Sequence, residues 1–289
     1  SKTHKVEPEK EKVSVIVFSK NRTWQLSEYL RTLYKYLGET IDLEVSVIYK
    51  ADSLFRPSYS ALRSLYSTVN FIEEEDFGKD LVAALKYGSS EFCLFGVDDV
   101  LFYRDFDLRN ALNILHIDSY AAGYSLRLNP NITHCHPANS RFDIPQLNPT
   151  ASFGLMWNWY MSYANGDWGY PWEVSASLYE KNNIFKMLSD ILEHHGPKGI
   201  GHPNRLEAGG ASIVSVMWRN KMFAYCPIKS VCSTITVNRV QDVYPNTIYE
   251  EKSPEYLEEL FWTNKEYDEE YYKNKVFNSI HIGDFVLKD

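Results

Sequence analysis

Phe95-Gly96-Val97-Asp98-Asp99-Val100-Leu101-Phe102 sets two adjacent carboxylates inside an otherwise apolar run. The residues ahead of it, Glu91 to Phe95, read as a strand that delivers the acids at its end. Neighbouring carboxylates repel each other unless something positive sits beside them. A hard divalent cation such as Mg²⁺ or Mn²⁺ answers that need, because it takes one or two protein acids and leaves its other positions to phosphate oxygens. The competing reading is that Asp98 and Asp99 only cap a turn, as Asp often does. Spacing alone leaves both open.

Upstream, apolar strands alternate with helices. Val13 to Phe18 is a short β-branched run that ends in polar Ser19-Lys20-Asn21-Arg22. Leu26, Leu30, Leu33, Tyr34 and Leu37 then recur at helical spacing, and Gly38 closes the helix. Glu44 to Tyr49 predicts a second strand, Pro57 to Tyr66 a helix, Val69 to Ile72 a third strand and Phe77 to Tyr87 a helix ended by Gly88. This alternation implies a mostly parallel sheet flanked by helices, an α/β fold of Rossmann-like type. In such sheets ligands gather at the carboxyl ends of the strands, where Ser19 to Arg22, Ala51-Asp52 and Asp98-Asp99 all fall.

Downstream of Asp107 the pattern loosens. Tyr120 to Leu128 and Ala151 to Tyr160 are strand-like, Val174 to Leu192 and Asn204 to Trp218 look helical, and Phe223 to Val237 holds one or two strands. Ser253 to Lys275 predicts a polar helix or helix pair. The expected organisation is a charged, flexible leader over 1–12, a catalytic domain over 13–245 and a C-terminal helical segment over 246–289 that packs on the core. Within the domain, 13–108 forms a donor half and 109–245 an acceptor half.

Composition narrows the partners. A net charge of −8 with no Lys/Arg stripe argues against nucleic acid, which needs a basic face. Aromatic residues reach 15%, more than a core requires and suited to stacking on sugars or bases. Cys93, Cys135, Cys226 and Cys232 form no CxxC pair and are expected as reduced thiols in a cytoplasmic protein. His134-Cys135-His136 lacks further ligands at metal spacing, so a zinc site is not expected there. No stretch approaches the length of an apolar transmembrane run, and no export signal is visible.

Four segments, IVFSKNRTWQLSEYLRTL, VSVIYKADS, FGKDLVAAL and FCLFGVDDVLFYRDFDL, occur in an order that resembles the nucleotide-sugar half of GT-A fold glycosyltransferases. The similarity is strongest to the bacterial and viral polysaccharide-building branch and extends over residues 13 to 108. It implies that Asp99 ligates a metal, Mn²⁺ or Mg²⁺, and that Asp98 faces the ribose or the metal's waters. Val97 stands where a strict DxD motif has its first acid, which puts two-acid chelation in doubt. The resemblance implies a further ligand, a histidine near the C-terminal end, for which His281 in Ser279-Ile280-His281-Ile282 is the candidate. It also implies donor contacts from Ser19, Asn21 and Arg22, and Asp52, at the end of the second strand, is a further candidate for nucleotide-sugar binding. Lys79, at the start of a predicted helix, is a candidate diphosphate partner.

Inverting sugar transfer needs a carboxylate that takes the acceptor hydroxyl's proton. Glu173, in Asp167-Trp168-Gly169-Tyr170-Pro171-Trp172-Glu173, sits among aromatics and is the first candidate; Glu207, in Asn204-Arg205-Leu206-Glu207, is the second. Trp168 and Trp172 are candidates for stacking on an acceptor saccharide. The expected partners are therefore a nucleoside diphosphate sugar, with UDP favoured, and a glycan or glycolipid acceptor, at a membrane surface or within a longer multidomain chain. Two rivals remain. A sugar-1-phosphate nucleotidyltransferase wants a Gly-rich loop after the first strand, and Ser19 to Arg22 contains no Gly. A catalytically silent glycan- or nucleotide-binding domain is suggested by Val97.

Overall fold

The computed structural model describes residues 10–151, 154–163, 165–238 and 251–289. The first half alternates as expected: β1 (Lys12–Lys20), α1 (Thr23–Leu37), β2 (Asp42–Lys50), α2 (Arg56–Leu65), β3 (Asn70–Glu73), α3 (Phe77–Tyr87), β4 (Phe92–Val97) and β5 (Val100–Phe102). The chain continues through α4 (Leu108–Ile117), β6 (Ala121–Ser125), β7 (His134–Cys135), β8 (Ser140–Arg141), β9 (Asn148–Pro149) and β10 (Gly154–Asn158). It then forms β11 (Ala176–Glu180), α5 (Lys181–His195), α6 (Pro203–Met217), β12 (Phe223–Pro227), β13 (Cys232–Ile235), α7 (Pro254–Trp262), α8 (Glu269–Lys273) and β14 (His281–Ile282). Residues 1–9 of the expected leader, and the 245/246 boundary, lie outside the described residues.

Nine strands join in the order β3-β2-β1-β4-β11-β6-β12-β10-β9. The pairs β1–β2, β1–β4, β2–β3 and β12–β6 are parallel, while β11 runs antiparallel to both of its neighbours, β4 and β6. The period of two along β1 explains the layering. Val13, Val15 and Val17 enter a core shared with Leu26, Leu30 and Leu33 of α1, and Ile16 and Phe18 enter the opposite core with Leu81 and Leu85 of α3. Buried on both faces, β1 reads as a continuous apolar run. Gly96 matters to the join between layers, because a Cβ there would stand 2.1 Å from the Tyr29 hydroxyl.

One expected element is different. Val174 to Leu192 is not one helix: Ala176–Glu180 is strand β11, and α5 begins only at Lys181. Ala176 and Leu178 enter one core and Tyr179 the opposite one, so both faces of this strand are covered and the alternation that marks a half-exposed strand is absent.

A second sheet, β14-β13-β5, stands beside the first and carries the continuation of the acidic turn. The C-terminal helices pack against α1. Trp24 lies 4.7 Å from Tyr267 between ring centroids, and its indole N–H donates to the Lys265 carbonyl at 2.7 Å. No helix among the described residues is long and apolar enough to cross a membrane.

Candidate active site

The acids occupy the turn between β4 and β5, which is pinned to β1 by the Asp98 N–H donating to the Phe18 carbonyl. Asp98 is buried and accepts from the Ser19 hydroxyl at 2.7 Å. Arg22 lies over both acids, 3.0 Å from Asp98 Oδ1 and 3.1 Å from Asp99 Oδ2, and its other amine donates to the Asn238 carbonyl. Burial pushes the Asp98 carboxyl up, Arg22 pulls it back, and the charge of Asp99 raises it again. Repulsion between the acids is thus relieved by an arginine.

Residues at the strand ends line a cleft of about 360 Å³, which includes Ser19, Lys20, Arg22, Lys50, Asp98 and Asp99. Lys20 and Lys50 are register partners at the ends of β1 and β2. Across from them stands the start of α6, where His202 caps the helix by accepting from the Asn204 N–H at 3.1 Å. Burial lowers the His202 pKa, and the charges of Lys20, Arg205 and Lys50 lower it further, so one wall of the cleft is cationic. An acidic turn therefore faces a basic wall.

Asp99 and His281 are two side chains of the cleft that could donate to a divalent cation. Asp99 Oδ1 is buried without a hydrogen-bond partner. His281, on β14, shares the cleft with it because β13 bridges the two: Thr234 is paired with His281 on one side and with Val100 on the other. Burial, with the charges of Arg127 and His136, pushes the His281 pKa down to about 3, which keeps the imidazole neutral as a metal ligand must be. Among the described residues no group of three or more His, Cys, Asp or Glu side chains could hold a metal, so phosphate oxygens would have to complete the shell.

The two candidate bases differ sharply. Glu173 is a correction to the expectation. Its carboxylate accepts from the Ala176 N–H at 3.1 Å, from the Ser175 N–H at 2.5 Å, from the Ser177 hydroxyl and from Arg127 at 3.0 Å. A buried carboxylate so fully engaged is a structural brace for the start of β11 rather than a proton acceptor. Glu207, one helical turn into α6, is half-buried and lines the cleft. Burial and the charge of Glu173 push its pKa up to about 7, against a smaller opposing effect of Arg127.

Trp168 and Trp172 are a second correction, since both are fully buried. Their indole N–H groups donate to the carbonyls of Ile132 and Leu206, and Trp172 packs so closely on α6 that a Cβ at Gly210 would stand 2.3 Å from its Nε1. They hold the core together. The exposed aromatics of this segment are Tyr160, Tyr163 and Tyr170.

Three donor candidates are not on the cleft wall. Asn21, at a left-handed φ of 52°, and Asp52 bond to each other through side chain and backbone, which fixes the turn out of β1. Lys79 is 85% exposed and pairs with Asp76. Lys20, Lys50, Arg127 and His202 are the cleft residues that sequence reasoning missed. Arg127 had a visible signal, a charge inside the apolar run Leu126-Arg127-Leu128.

A sheet in which β11 runs antiparallel beside β4 and β10 antiparallel between β12 and β9, the other strands being parallel, opens at the strand ends into a cleft that carries the acidic turn, as the resemblance to GT-A folds implies. The chain is similar to the bifunctional glycosyltransferase pgtA of Dictyostelium discoideum, at 35% identity over an alignment of 299 positions that covers 95% of this chain. It spans 39% of that relative's length. No family model matches the chain. Among solved structures it is similar to S. aureus TarS 1-349 in complex with UDP-GlcNAc, at 17% identity over 80% of this chain and 60% of that one, with a TM-score of 0.46. It is also similar to the mannosyltransferase PcManGT from Pyrobaculum calidifontis in complex with GDP-Man and Mn²⁺, at 15% identity over 78% and 56% of the two chains, with a TM-score of 0.42. Likenesses this distant transfer no residue role.

Proposed function

We propose that the chain transfers a sugar, with inversion, from a nucleoside diphosphate sugar to a hydroxyl of a glycan or glycolipid, with UDP as the favoured nucleotide. The observation that carries this reading is the cleft itself, which sets a basic wall for phosphates, an acid turn and the carboxylate of Glu207 within one space. Lys20 and Lys50 hold the diphosphate, since cations favour phosphate oxygens. Asp98, oriented by Ser19 and Arg22, faces the ribose. Asp99 and His281 hold Mn²⁺ or Mg²⁺, which supplies charge neutralisation for the departing diphosphate.

Glu207 takes the proton of the acceptor hydroxyl as its oxygen bonds to the anomeric carbon and the bond to the diphosphate breaks. A carboxylate raised toward neutrality is a stronger base than an ordinary glutamate. The exposed rings of Tyr160, Tyr163 and Tyr170 offer stacking faces for the acceptor. Buried free thiols at Cys93, Cys226 and Cys232 support a reducing, cytoplasmic location.

Calorimetric titration with UDP, with and without Mn²⁺, tests the donor reading. Binding that strengthens with metal is expected, followed by release of UDP from a UDP-sugar when an acceptor is supplied. No nucleotide binding in either condition sinks it. Binding without turnover across a panel of sugars and acceptors favours the silent binding domain instead.

A further inference from the structure

Arg22 stands between the two acids of the turn. Its Nη1 donates to Asp98 Oδ1 at 3.0 Å and to Asp99 Oδ2 at 3.1 Å, and its Nη2 donates to the Asn238 carbonyl at 2.6 Å. Its backbone N–H donates to the Tyr59 hydroxyl at 3.2 Å, and that hydroxyl lies 2.6 Å from the Ser19 hydroxyl. Asp98 is then fully engaged, because Oδ2 accepts from the Ser19 hydroxyl at 2.7 Å and from the Lys20 N–H at 3.3 Å. Of the carboxylate oxygens in the turn, only Asp99 Oδ1 has no donor.

The guanidinium thereby supplies the positive charge that the paired acids need. A hard divalent ion wants several oxygen ligands, and one carboxylate oxygen with one imidazole is a meagre set. An ion on Asp99 Oδ1 would also share its carboxylate with the guanidinium on Oδ2. In a turn where Asp98 is 3% exposed and Asp99 15%, like charges repel several-fold more strongly than in water. Two other cations of the cleft have acids of their own, Lys50 with Glu74 and Arg127 with Glu173. Around the turn, Arg22 and Lys20 already balance Asp98 and Asp99, so a divalent ion arriving alone would leave an excess of positive charge.

A second observation points to what relieves that excess. Arg22 Nε is buried and donates to nothing, and a donor left unmade is costly. Arg22 lines the same cleft as Lys20 and Lys50, and phosphate oxygens are the acceptors that a guanidinium fork matches best. A diphosphate brings both an acceptor for Nε and the negative charge that lets a divalent ion approach. We propose that Arg22 is a built-in counter-ion for the acidic turn, which holds Mn²⁺ or Mg²⁺ off Asp99 until a diphosphate shares the cleft, so that ion and nucleotide bind only together. The inference rests on the reading of Asp99 and His281 as metal donors.

The test measures Mn²⁺ uptake by the full chain from the paramagnetic resonance signal of the free ion, with and without UDP and with no sugar present. Wild type should bind Mn²⁺ at least about tenfold more weakly alone than with UDP. Arg22→Gln, which removes the charge, frees both acids and should bind Mn²⁺ alone roughly 10- to 100-fold more tightly than wild type. Arg22→Lys keeps the charge and should exclude the ion as wild type does. An arginine that merely braced the turn would lower the unfolding midpoint of Arg22→Gln and leave its ion affinity at the wild-type level; that result overturns the inference. Wild-type binding as tight without UDP as with it overturns the inference too, and this comparison needs no variant to fold. A wild type that binds UDP and takes up no Mn²⁺, beside an Arg22→Gln chain that binds the ion alone, overturns the metal reading, and the joint entry of ion and nucleotide falls with it.

Discussion

The cleft and the junction between α1 and the C-terminal helices are built from the same charged groups, yet they are finished differently. At the junction Arg31 reaches Glu28 and Glu269, both at 2.7 Å, Lys35 and Lys288 add ion pairs to Glu269, and the Tyr267 N–H donates to Glu28. Although burial raises the Glu269 carboxyl, hydrogen bonds from Arg31 and Lys288 outweigh it and hold the pKa down at about 2. In the cleft, Asp99 Oδ1 and Arg22 Nε lack partners, and Glu207 is driven up to about 7. The cations around Glu269 belong to the chain itself, whereas the cleft leaves Asp99 Oδ1 and Arg22 Nε for a ligand to satisfy; buried atoms without a partner also occur at Glu258 on α7.

The most severe way to break this comparison is at Glu207. Glu207→Gln should lower the transfer rate by roughly 10²- to 10⁴-fold, the range for loss of a general base, with nucleotide affinity unchanged. The wild-type rate should rise with pH and level off near the Glu207 pKa of about 7, because the ionised form is the base. Stability follows with the opposite benefit. The folded pKa lies above the ordinary value of 4.5, so the fold favours the protonated form, and its contribution is lost as pH climbs through about 7. Glu207→Gln should therefore be more stable than wild type at pH 8 and equal to it at pH 4. Full activity in the glutamine variant would remove Glu207 from the role.

Glu173 should fail in the other manner. Glu173→Ala strips four donors of their acceptor and leaves Arg127 buried without its ion pair, a loss on the order of 3–5 kcal/mol measured by denaturant unfolding. The two acids are then separated by assay: one variant is stable and slow, the other unstable. A Glu173→Ala chain with an unchanged midpoint and no turnover would reverse the assignment and restore the reading from its aromatic neighbours.

That reversal in reading shows what sequence can carry. The strand ending in Val97-Asp98-Asp99, the helices after β1 and β3, and the convergence of Ser19, Arg22, Asp98 and Asp99 were legible because each rests on short-range periodicity and on chain order. His281 was reached by resemblance, and β13 explains how a residue 182 positions after Asp99 comes to the same cleft. The failures are failures of environment. Trp168, Trp172 and Glu173 have the residue types of a sugar site, but only three-dimensional packing decides whether an indole faces solvent or a carboxylate is already spent. Lys79 had the position of a phosphate ligand at a helix start, and the pairing with Asp76 turned it outward. Lys20 and Lys50 lay unremarked because a single lysine after a strand has no signature until the register sets two of them side by side.

The smallest expected effect lies at the junction and sharpens the contrast by its sign. Glu269 has a folded pKa of about 2 against an ordinary 4.5, so it stabilises the ionised fold above pH 4.5 and that contribution is lost as pH falls through about 2. Glu269→Gln should cost about 1–3 kcal/mol at pH 7, the scale of hydrogen bonds to a charged group, and the gap to wild type should shrink on acidification. Nucleotide affinity should not change, since the cluster is not part of the cleft lining. The two glutamates would then show opposite pH slopes of stability within one chain. If Glu269→Gln also weakened nucleotide binding, the junction would be coupled to the cleft through α1, which carries Arg31 on one turn and begins beside Arg22 on another.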